Sequence, residues 1–295
     1  MKTNDVDGNG PLRIVGLVGA GRMGCGIAHA FLAARREVVM VERNPVVRGT
    51  APGKIEGMLE RSADRSELSA TVGALMSSLH VEGNLASLGS CDLVIEAVPE
   101  DLVLKRSVLG QVERSVEGST VVATNTSSIS VTDLSANLKE PERFIGMHFF
   151  NPVPVSALVE VVVGKRTGRE TVAMAGHAVE VIGKTAITVY DSPGFASSRL
   201  GVLLGLEAVR MVEDGVASAE DIDRAMVLGY RHPMGPLALT DLVGLDVRLG
   251  IAEYLQRALG PRFEPPQLLR RMVAAGLLGR KTGQGFFRYD SGLPG

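Results

Sequence analysis

Residues 16–26 read GLVGAGRMGCG and place three glycines, Gly19, Gly21 and Gly24, directly after an apolar run at 12–18. Glycine at the first position permits a tight turn from strand to helix. At the second it lets a pyrophosphate approach the backbone, and at the third it allows the following helix to pack closely. The helix N-terminus would also attract the anion. The stretch therefore predicts a dinucleotide-binding turn, with a glycine-rich turn that only packs well as the alternative.

The sequence after the first helix supports the nucleotide interpretation. A second strand-like run covers residues 37–41, and Glu42 follows it, eighteen positions after Gly24. A carboxylate at this place can accept hydrogen bonds from the adenosine ribose.

Bulk composition excludes several classes of function. A formal charge of −2 over 295 residues gives no basic surplus, so neither a nucleic-acid-binding nor a polyanionic-membrane surface is expected. Cys25 and Cys91 stand far apart without a CxxC motif, which indicates a reducing compartment and argues against a disulfide framework or a zinc site. No apolar run approaches the length of a membrane span, and residues 1–11 lack the apolar core of a secretory signal. We expect a cytoplasmic protein.

The first two thirds of the chain alternate between strand-like and helix-like segments, which predicts βαβ units and a parallel sheet. Further strands are expected at 92–97, 120–124, 144–148, 158–163 and 186–189, with helices at 102–115 and 169–183. Residues 45–79 are charged and periodic without a strand-like run, so we interpret them as an inserted helical hairpin. The predicted fold class is α/β, with a Rossmann-like, doubly wound, mostly parallel sheet.

The pattern changes at 191–194, which read DSPG. Helix-like stretches follow at 200–212, 219–228, 247–259 and 267–275, separated by Gly and Pro. We expect a nucleotide-binding domain over 1–192 and an all-α domain over 193–295. The apolar character of these helices also favours a homodimer.

Polar groups follow three predicted strands at the edge where a doubly wound sheet binds its ligand. They are 96–100 with Lys105 beyond them, 125–128, and 148–152. Any one of them alone is ordinary loop chemistry. Their coincidence at one edge indicates a site.

His148 is the only one of five histidines that ends a predicted strand. An imidazole suits acid/base work near neutral pH, although a lone histidine is more often structural. Glu160, on the next strand, could hold its tautomer and stabilise the imidazolium. GxSxG, HExxH and phosphate-loop motifs are absent from the sequence. A nucleotide site with one acid/base histidine and no metal points to hydride transfer.

The chain resembles the L-3-hydroxyacyl-CoA dehydrogenase family, of the 3-hydroxybutyryl-CoA type, from GLVGAGRMGCGIA to GRKTGQGFF. Its most specific stretch is HFFNPVPVSALVEVV. The resemblance implies NAD as cofactor, an acyl-CoA substrate, and a helical domain for substrate and dimerisation. It implies His148 as the base with Glu160 as its partner, and Ser127 and Asn151 at the reacting centre. It further implies cofactor contacts at Glu42, Glu100, Lys105 and Lys281, and Lys54 as the best candidate for a CoA contact.

One position departs from the family pattern. The family carries PGFxxNR at the domain junction, whereas this chain has Ser198 in place of the asparagine. A hydroxyl reaches less far than an amide, which puts one substrate contact in doubt. Two alternatives stay open: a dehydrogenase of a free hydroxy acid such as carnitine or gulonate, and a non-catalytic nucleotide-binding or structural protein.

Overall fold

A computed structural model describes residues 12–289. Two compact units divide the chain between Asp191 and Ser192. The first unit is built on one sheet, and the second unit is helical. The predicted fold class is confirmed.

The sheet has eight strands in the order β3-β2-β1-β4-β5-β6-β7-β8. The first six strands in this order pair in parallel, β7 runs antiparallel to β6, and β8 is parallel to β7. Their bounds are β1 Ile14–Val18, β2 Glu37–Val41, β3 Leu79–Glu82, β4 Leu93–Glu96, β5 Val121–Thr124, β6 Phe144–Phe149, β7 Leu158–Val163 and β8 Thr185–Tyr190. The carboxyl ends of the parallel strands therefore meet at one edge, together with the amino end of β7.

Helices connect these strands. They are α1 Arg22–Ala33, α2 Pro45–Asp64, α3 Val72–Met76, α4 Leu102–Ser115, α5 Val131–Leu134 and α6 Arg169–Val181. Central strands read as continuous apolar runs because helices cover both faces, as in LVIE of β4, which is buried throughout. Buried side chains such as Leu17, Phe31 and Val159 belong to one hydrophobic core that joins sheet and helices.

The helical hairpin predicted over 45–79 is present as α2 and α3, but its last residue, Leu79, belongs to a strand that sequence analysis missed. Asn44 caps α2 by accepting hydrogen bonds from the backbone of Val46 and Val47, and Pro45 occupies the first turn. The second helix, α3, is a single turn of five residues. Leu79 then opens β3, an edge strand of four residues whose side chains are only half-buried or exposed. The four residues of β3 are too few for their alternating burial to predict a strand from the sequence.

The second unit contains α7 Ser197–Glu213, α8 Ala219–Tyr230, α9 Pro236–Val243, α10 Leu245–Leu259 and α11 Gln267–Ala274. Its core includes Leu206, Leu237, Leu255 and Phe263. Sequence analysis missed α9, which begins at Pro236 directly after Gly235 and is separated from α10 by Gly244 alone. On α8, the Asp223 carboxylate accepts hydrogen bonds from the backbone of Leu237 and Ala238, both at 2.8 Å, and so caps α9.

Candidate active site

The three glycines of the predicted turn occupy different environments. Gly19 has φ of +104°, and its N–H donates to Val41 O at 2.9 Å, which joins the turn to β2. A Cβ at Gly24 would lie 1.9 Å from Gly19 O, whereas a Cβ at Gly21 would meet nothing within 4 Å. Gly19 and Gly24 are therefore required by the turn itself. Gly21 leaves open space at the N-terminus of α1, which fits a dinucleotide pyrophosphate.

Glu42 faces this turn. Its Oε2 accepts from Ala20 N at 3.0 Å, and its Oε1 accepts from Asn44 N at 2.8 Å. The carboxylate is thus fixed between the turn and the start of α2. Each oxygen keeps a further acceptor site for a ribose hydroxyl. These residues fit the adenosine half of NAD.

A buried ion pair lies beneath the end of β4. Lys105 is 1% exposed, and its Nζ is 2.7 Å from Oε1 of Glu96, which is itself fully buried. The other oxygen of Glu96 accepts from Thr124 Oγ1 at 2.6 Å. Lys105 also lies 3.3 Å from Glu100 Oε2. The Lys105 ammonium therefore joins β4 to the loop that follows it.

Glu100 organises the loop after β5. Its Oε1 accepts from Thr126 Oγ1 at 2.7 Å and from the backbone N–H of Ser127 and Ser128, both at 2.9 Å. The Ser127 hydroxyl lies 3.2 Å from the same oxygen. Burial opposes ionisation, but Lys105 and these hydrogen bonds outweigh it and hold the pKa of Glu100 below its usual value. The loop is thus held by an ionised carboxylate.

His148 and Glu160 face each other across the antiparallel pair of β6 and β7. The distance from His148 Nδ1 to Glu160 Oε2 is 2.7 Å, the imidazole is almost buried, and Glu160 is fully buried. The Phe150 ring stacks at a tilt on the imidazole, with centroids 4.5 Å apart. A carboxylate accepting from Nδ1–H leaves the lone pair of the neutral ring on Nε2. This arrangement suits a general base.

The loop between the two strands carries Asn151 and is held at its base. Lys184 Nζ donates to Val153 O at 2.7 Å and to Ser156 O at 2.5 Å. Burial lowers the pKa of Lys184. Val153 also packs so closely on α1 that a Cβ at Gly26 would lie 2.9 Å from its Cβ. The loop is consequently fixed to the helix that follows the nucleotide turn.

The remaining predicted site residues lie elsewhere. Lys54 is exposed on α2, and its charge opposes the burial that raises the pKa of the Cys25 thiol on α1. Ser198 and Lys281 belong to the second unit. The Lys281 ammonium is 2.6 Å from both carboxylate oxygens of Asp246. The structure therefore brings together the predicted residues of the first unit, except Lys54, around one sheet edge.

The GRKTGQGFF segment that carries Lys281 is anchored on a buried carboxylate of α9. Asp241 accepts from the backbone N–H of Phe286 and Phe287, both at 2.9 Å, and from the Tyr289 hydroxyl at 3.1 Å. A Cβ at Gly285 would lie 2.1 Å from an Asp241 oxygen. The GFF portion of this motif is thus explained by its contacts with Asp241.

For three side chains that position the site, the sequence predicted no individual role: Glu96, Lys184 and Asn125. Asn125 Oδ1 accepts from Phe149 N at 2.9 Å and so joins the ends of β5 and β6. Glu96 and Asn125 stood in the polar segments that follow strands, where a buried structural role and a ligand-facing one give the same sequence signal. Nothing in the sequence distinguished Lys184 from a surface lysine.

Residues 12–289 contain neither a cluster of metal ligands nor a membrane-spanning helix. No group of three or more His, Cys, Asp or Glu side chains in that range could hold a metal ion. No helix there is long and apolar enough to cross a bilayer.

Comparison with known families agrees with this geometry. Residues 14–192 match the NAD-binding domain of 3-hydroxyacyl-CoA dehydrogenase, and residues 194–289 match the C-terminal domain of the same family. The chain therefore belongs to the 3-hydroxyacyl-CoA dehydrogenase family, as the resemblance predicted. The predictions of an NAD-dependent dehydrogenase and of NAD as its cofactor are confirmed.

Individual relatives match over almost their full lengths. A 3-hydroxybutyryl-CoA dehydrogenase of Mycobacterium tuberculosis is 41% identical over 291 residues, covering 93% of this chain and 98% of the relative. One from Clostridioides difficile is 38% identical over 276 residues, again covering 93% and 98%. The crystal structure of an (S)-3-hydroxybutyryl-CoA dehydrogenase from Ralstonia eutropha has a TM-score of 0.91 at 41% identity, covering 95% of this chain and 100% of that one.

Proposed function

We propose that this enzyme interconverts short-chain L-3-hydroxyacyl-CoA and 3-oxoacyl-CoA, with 3-hydroxybutyryl-CoA as its substrate. The observation that carries the proposal is the 2.7 Å contact between His148 and Glu160 at the edge of the sheet where the nucleotide turn lies. The relatives are named 3-hydroxybutyryl-CoA dehydrogenases, which supports a CoA thioester as the substrate.

In this proposal His148 is the general base. Nε2 takes the proton of the 3-hydroxyl, while the hydrogen on the carbinol carbon leaves with its electron pair. Bound NAD supplies the acceptor for that hydride. Glu160 keeps the proton on Nδ1 and stabilises the imidazolium that forms. In the reverse direction His148 returns the proton to the 3-oxo oxygen.

The polar loops position the reactants. We propose that Ser127 and Asn151 contact the substrate oxygen and the nicotinamide end of the cofactor. Glu100 holds Ser127 through its backbone and hydroxyl. Since Lys105 is buried against Glu96 and Glu100, its proposed contribution to cofactor binding acts through Glu100.

The cofactor's adenosine end is assigned to Gly19, Gly21, Gly24 and Glu42, and the CoA to Lys54. The exposed position of Lys54 on α2 leaves its ammonium available to phosphate. The roles of Ser198 as a substrate contact and Lys281 as a cofactor contact rest on the resemblance. The resemblance also supports residues 1–192 as the NAD-binding domain and 193–295 as the domain for substrate and dimerisation.

We also propose a homodimer formed through the second unit. Large apolar side chains are exposed there, including Leu200 at 67%, Leu228 at 73% and Tyr230 at 76%. A contiguous apolar surface formed by such side chains would mark an association surface. The free thiols of Cys25 and Cys91 accord with a reducing compartment, which supports the proposed cytoplasmic location.

The deciding experiment compares substrates. With NADH, acetoacetyl-CoA should be reduced with far higher kcat/KM than free acetoacetate, because a remote handle helps to orient the reacting carbon. Lys54→Ala should raise KM for the thioester and leave NADH binding unchanged, with Glu56→Ala on the same helix as control. Equal turnover of a free hydroxy acid such as carnitine or gulonate would overturn the CoA assignment. No turnover of any hydroxy substrate would favour the non-catalytic alternative.

A further inference from the structure

Arg43, the residue after Glu42, is held by a side chain of α4. Its Nη2 donates a hydrogen bond to Oε1 of Gln111. The amide of Gln111 is itself oriented, because its Nε2 donates to Ser107 O at 3.1 Å and to Ser107 Oγ at 3.2 Å. A backbone carbonyl can only accept, so Nε2 must face Ser107 and Oε1 must face Arg43. Gln111 is thus a fixed acceptor for this guanidinium.

This contact draws Arg43 away from the side on which Glu42 acts. Glu42 N donates to Glu82 O at 2.9 Å, so the strand pairing extends one residue past β2 and successive side chains leave on opposite faces. Glu42 turns towards the glycines and α1. Helix α1 connects β1 to β2, towards one end of the sheet, and α4 connects β4 to β5, towards the other end. Because both crossovers are right-handed, the two helices lie on opposite faces of the sheet. Arg43 is therefore bound on the face opposite the carboxylate.

A cationic cavity adjoins the bound guanidinium. Its volume is about 380 Å³, and its lining contains no Asp or Glu. Arg114 stands on the same wall, three residues after Gln111. The lining residues are Arg43, Gly83, Asn84, Leu85, Gln111, Arg114 and Ser115. Two guanidinium groups therefore lie on this wall, on the face away from Glu42, so neither neutralises a phosphate bound beside that carboxylate.

We propose that Gln111 determines coenzyme selectivity by binding Arg43 and withholding it from a 2′-phosphate beside Glu42. Two features then disfavour NADPH: the Glu42 carboxylate repels the phosphate, and the arginine that could neutralise it is held on α4. NADH has no 2′-phosphate, so neither feature opposes its binding. The inference rests on the NAD site alone, so it holds whichever acyl substrate the enzyme uses.

Direct titration of coenzymes tests this assignment without any substrate. The full-length chain has no Trp, so the fluorescence of NADH and NADPH themselves reports their binding. Gln111→Leu should tighten NADPH binding by about tenfold, the scale of one charge-assisted hydrogen bond, and leave the Kd of NADH unchanged. Gln111→Glu, which keeps Arg43 bound, should leave NADPH as weak as in the wild type.

Two Arg43 variants complete the test. Arg43→Leu alone should not change NADPH binding, since the guanidinium does not reach the phosphate in the wild type. Combined with Gln111→Leu, it should remove the gain. The proposal is overturned if Gln111→Leu leaves the ratio of the two Kd values unchanged, or if Arg43→Leu alone weakens NADPH. The second outcome would show that Gln111 presents the arginine to the phosphate.

Discussion

His148 and Glu160 are directly opposite each other in the pairing of β6 with β7, and their side chains meet at 2.7 Å. Directly opposed residues of an antiparallel pair share one face of the sheet, so the strand register alone brings them together. The two residues are only twelve positions apart in the chain. The proposed base and its orienting carboxylate are therefore built within one hairpin.

His148→Ala should lower kcat for acetoacetyl-CoA reduction by at least about a hundredfold, because general acid/base catalysis contributes roughly 10² to 10⁴-fold. NADH affinity should stay at the wild-type value, since the nucleotide turn is untouched. Steady-state kinetics and a coenzyme titration measure the two effects. A variant that turns over at the wild-type rate would remove His148 from the mechanism.

Glu160→Gln should also lower kcat, because a neutral amide lacks the charge that stabilises the imidazolium, and its NH2 group can donate to Nδ1 and so favour the wrong tautomer. The loss should be smaller than for His148→Ala, since the base itself remains. KM for acetoacetyl-CoA should change little. If kcat stays unchanged while the melting temperature falls, Glu160 serves only the packing of the strands.

Gly21→Ala and Gly24→Ala should separate ligand binding from folding. At Gly24 a Cβ would lie 1.9 Å from a backbone oxygen, so we expect a loss of roughly 1–3 kcal/mol in unfolding free energy. At Gly21 the space is open, so the variant should keep its stability and lose NADH affinity. Urea unfolding and coenzyme titration distinguish the two. Unimpaired NADH binding by Gly21→Ala would mean that the pyrophosphate lies elsewhere.

Glu42→Ala should narrow the preference for NADH over NADPH. The substitution removes the charge that repels a 2′-phosphate and also the hydrogen bond from Ala20 N. The NADPH value of kcat/KM should rise and the NADH value should fall. A wild-type enzyme that already prefers NADPH would contradict the role given to Glu42.

Stability should fall in mild acid because of His29. Burial, with the nearby charges of Lys184 and Arg65, lowers its pKa from 6.5 to about 4. The unfolded chain therefore binds a proton at pH values where the folded protein does not, and stability decreases from about pH 6.5 down to about pH 4. A shift of this size corresponds to at most about 3 kcal/mol at the acid end.

The variant His29→Gln provides the comparison. Glutamine can keep the hydrogen bond that His29 Nε2 makes with Ser62 Oγ at 3.0 Å, but it does not titrate. Urea unfolding at pH 7.5, 6 and 5 should show a shallower pH dependence for this variant. Parallel profiles for the two proteins would show that other groups cause the acid loss.

The parts of the fold that sequence analysis predicted are those whose burial leaves a periodic or continuous apolar pattern. The buried run of β4 is an example, and α4 begins and ends at the predicted residues, Leu102 and Ser115. The edge strand β3 and the short helix α9 were missed because each is short, and α9 also lies between Gly and Pro signals. Pattern reasoning detects length and amphipathicity, and these two elements lack one or both.

The site was predictable to the same degree. The pairing of His148 with Glu160 followed from two neighbouring strands, because local register is a property of the sequence. The burial of Lys105 against Glu96 was not predicted, because a polar residue after a strand can face either a ligand or the protein interior. Lys184 holds the loop between β6 and β7 through two backbone carbonyl groups. Every residue has such a group, so no sequence motif indicates this contact.

The reversal of the chain between β6 and β7 constrains how this enzyme can evolve. Side chains alternate faces along a strand, so a slip of one residue in this pairing would turn Glu160 to the face opposite His148. Deletions or insertions within 150–157 act on that register directly, and Lys184 binds the loop at two points that such a change would displace. We therefore expect related sequences to vary the residues of this loop more freely than its length.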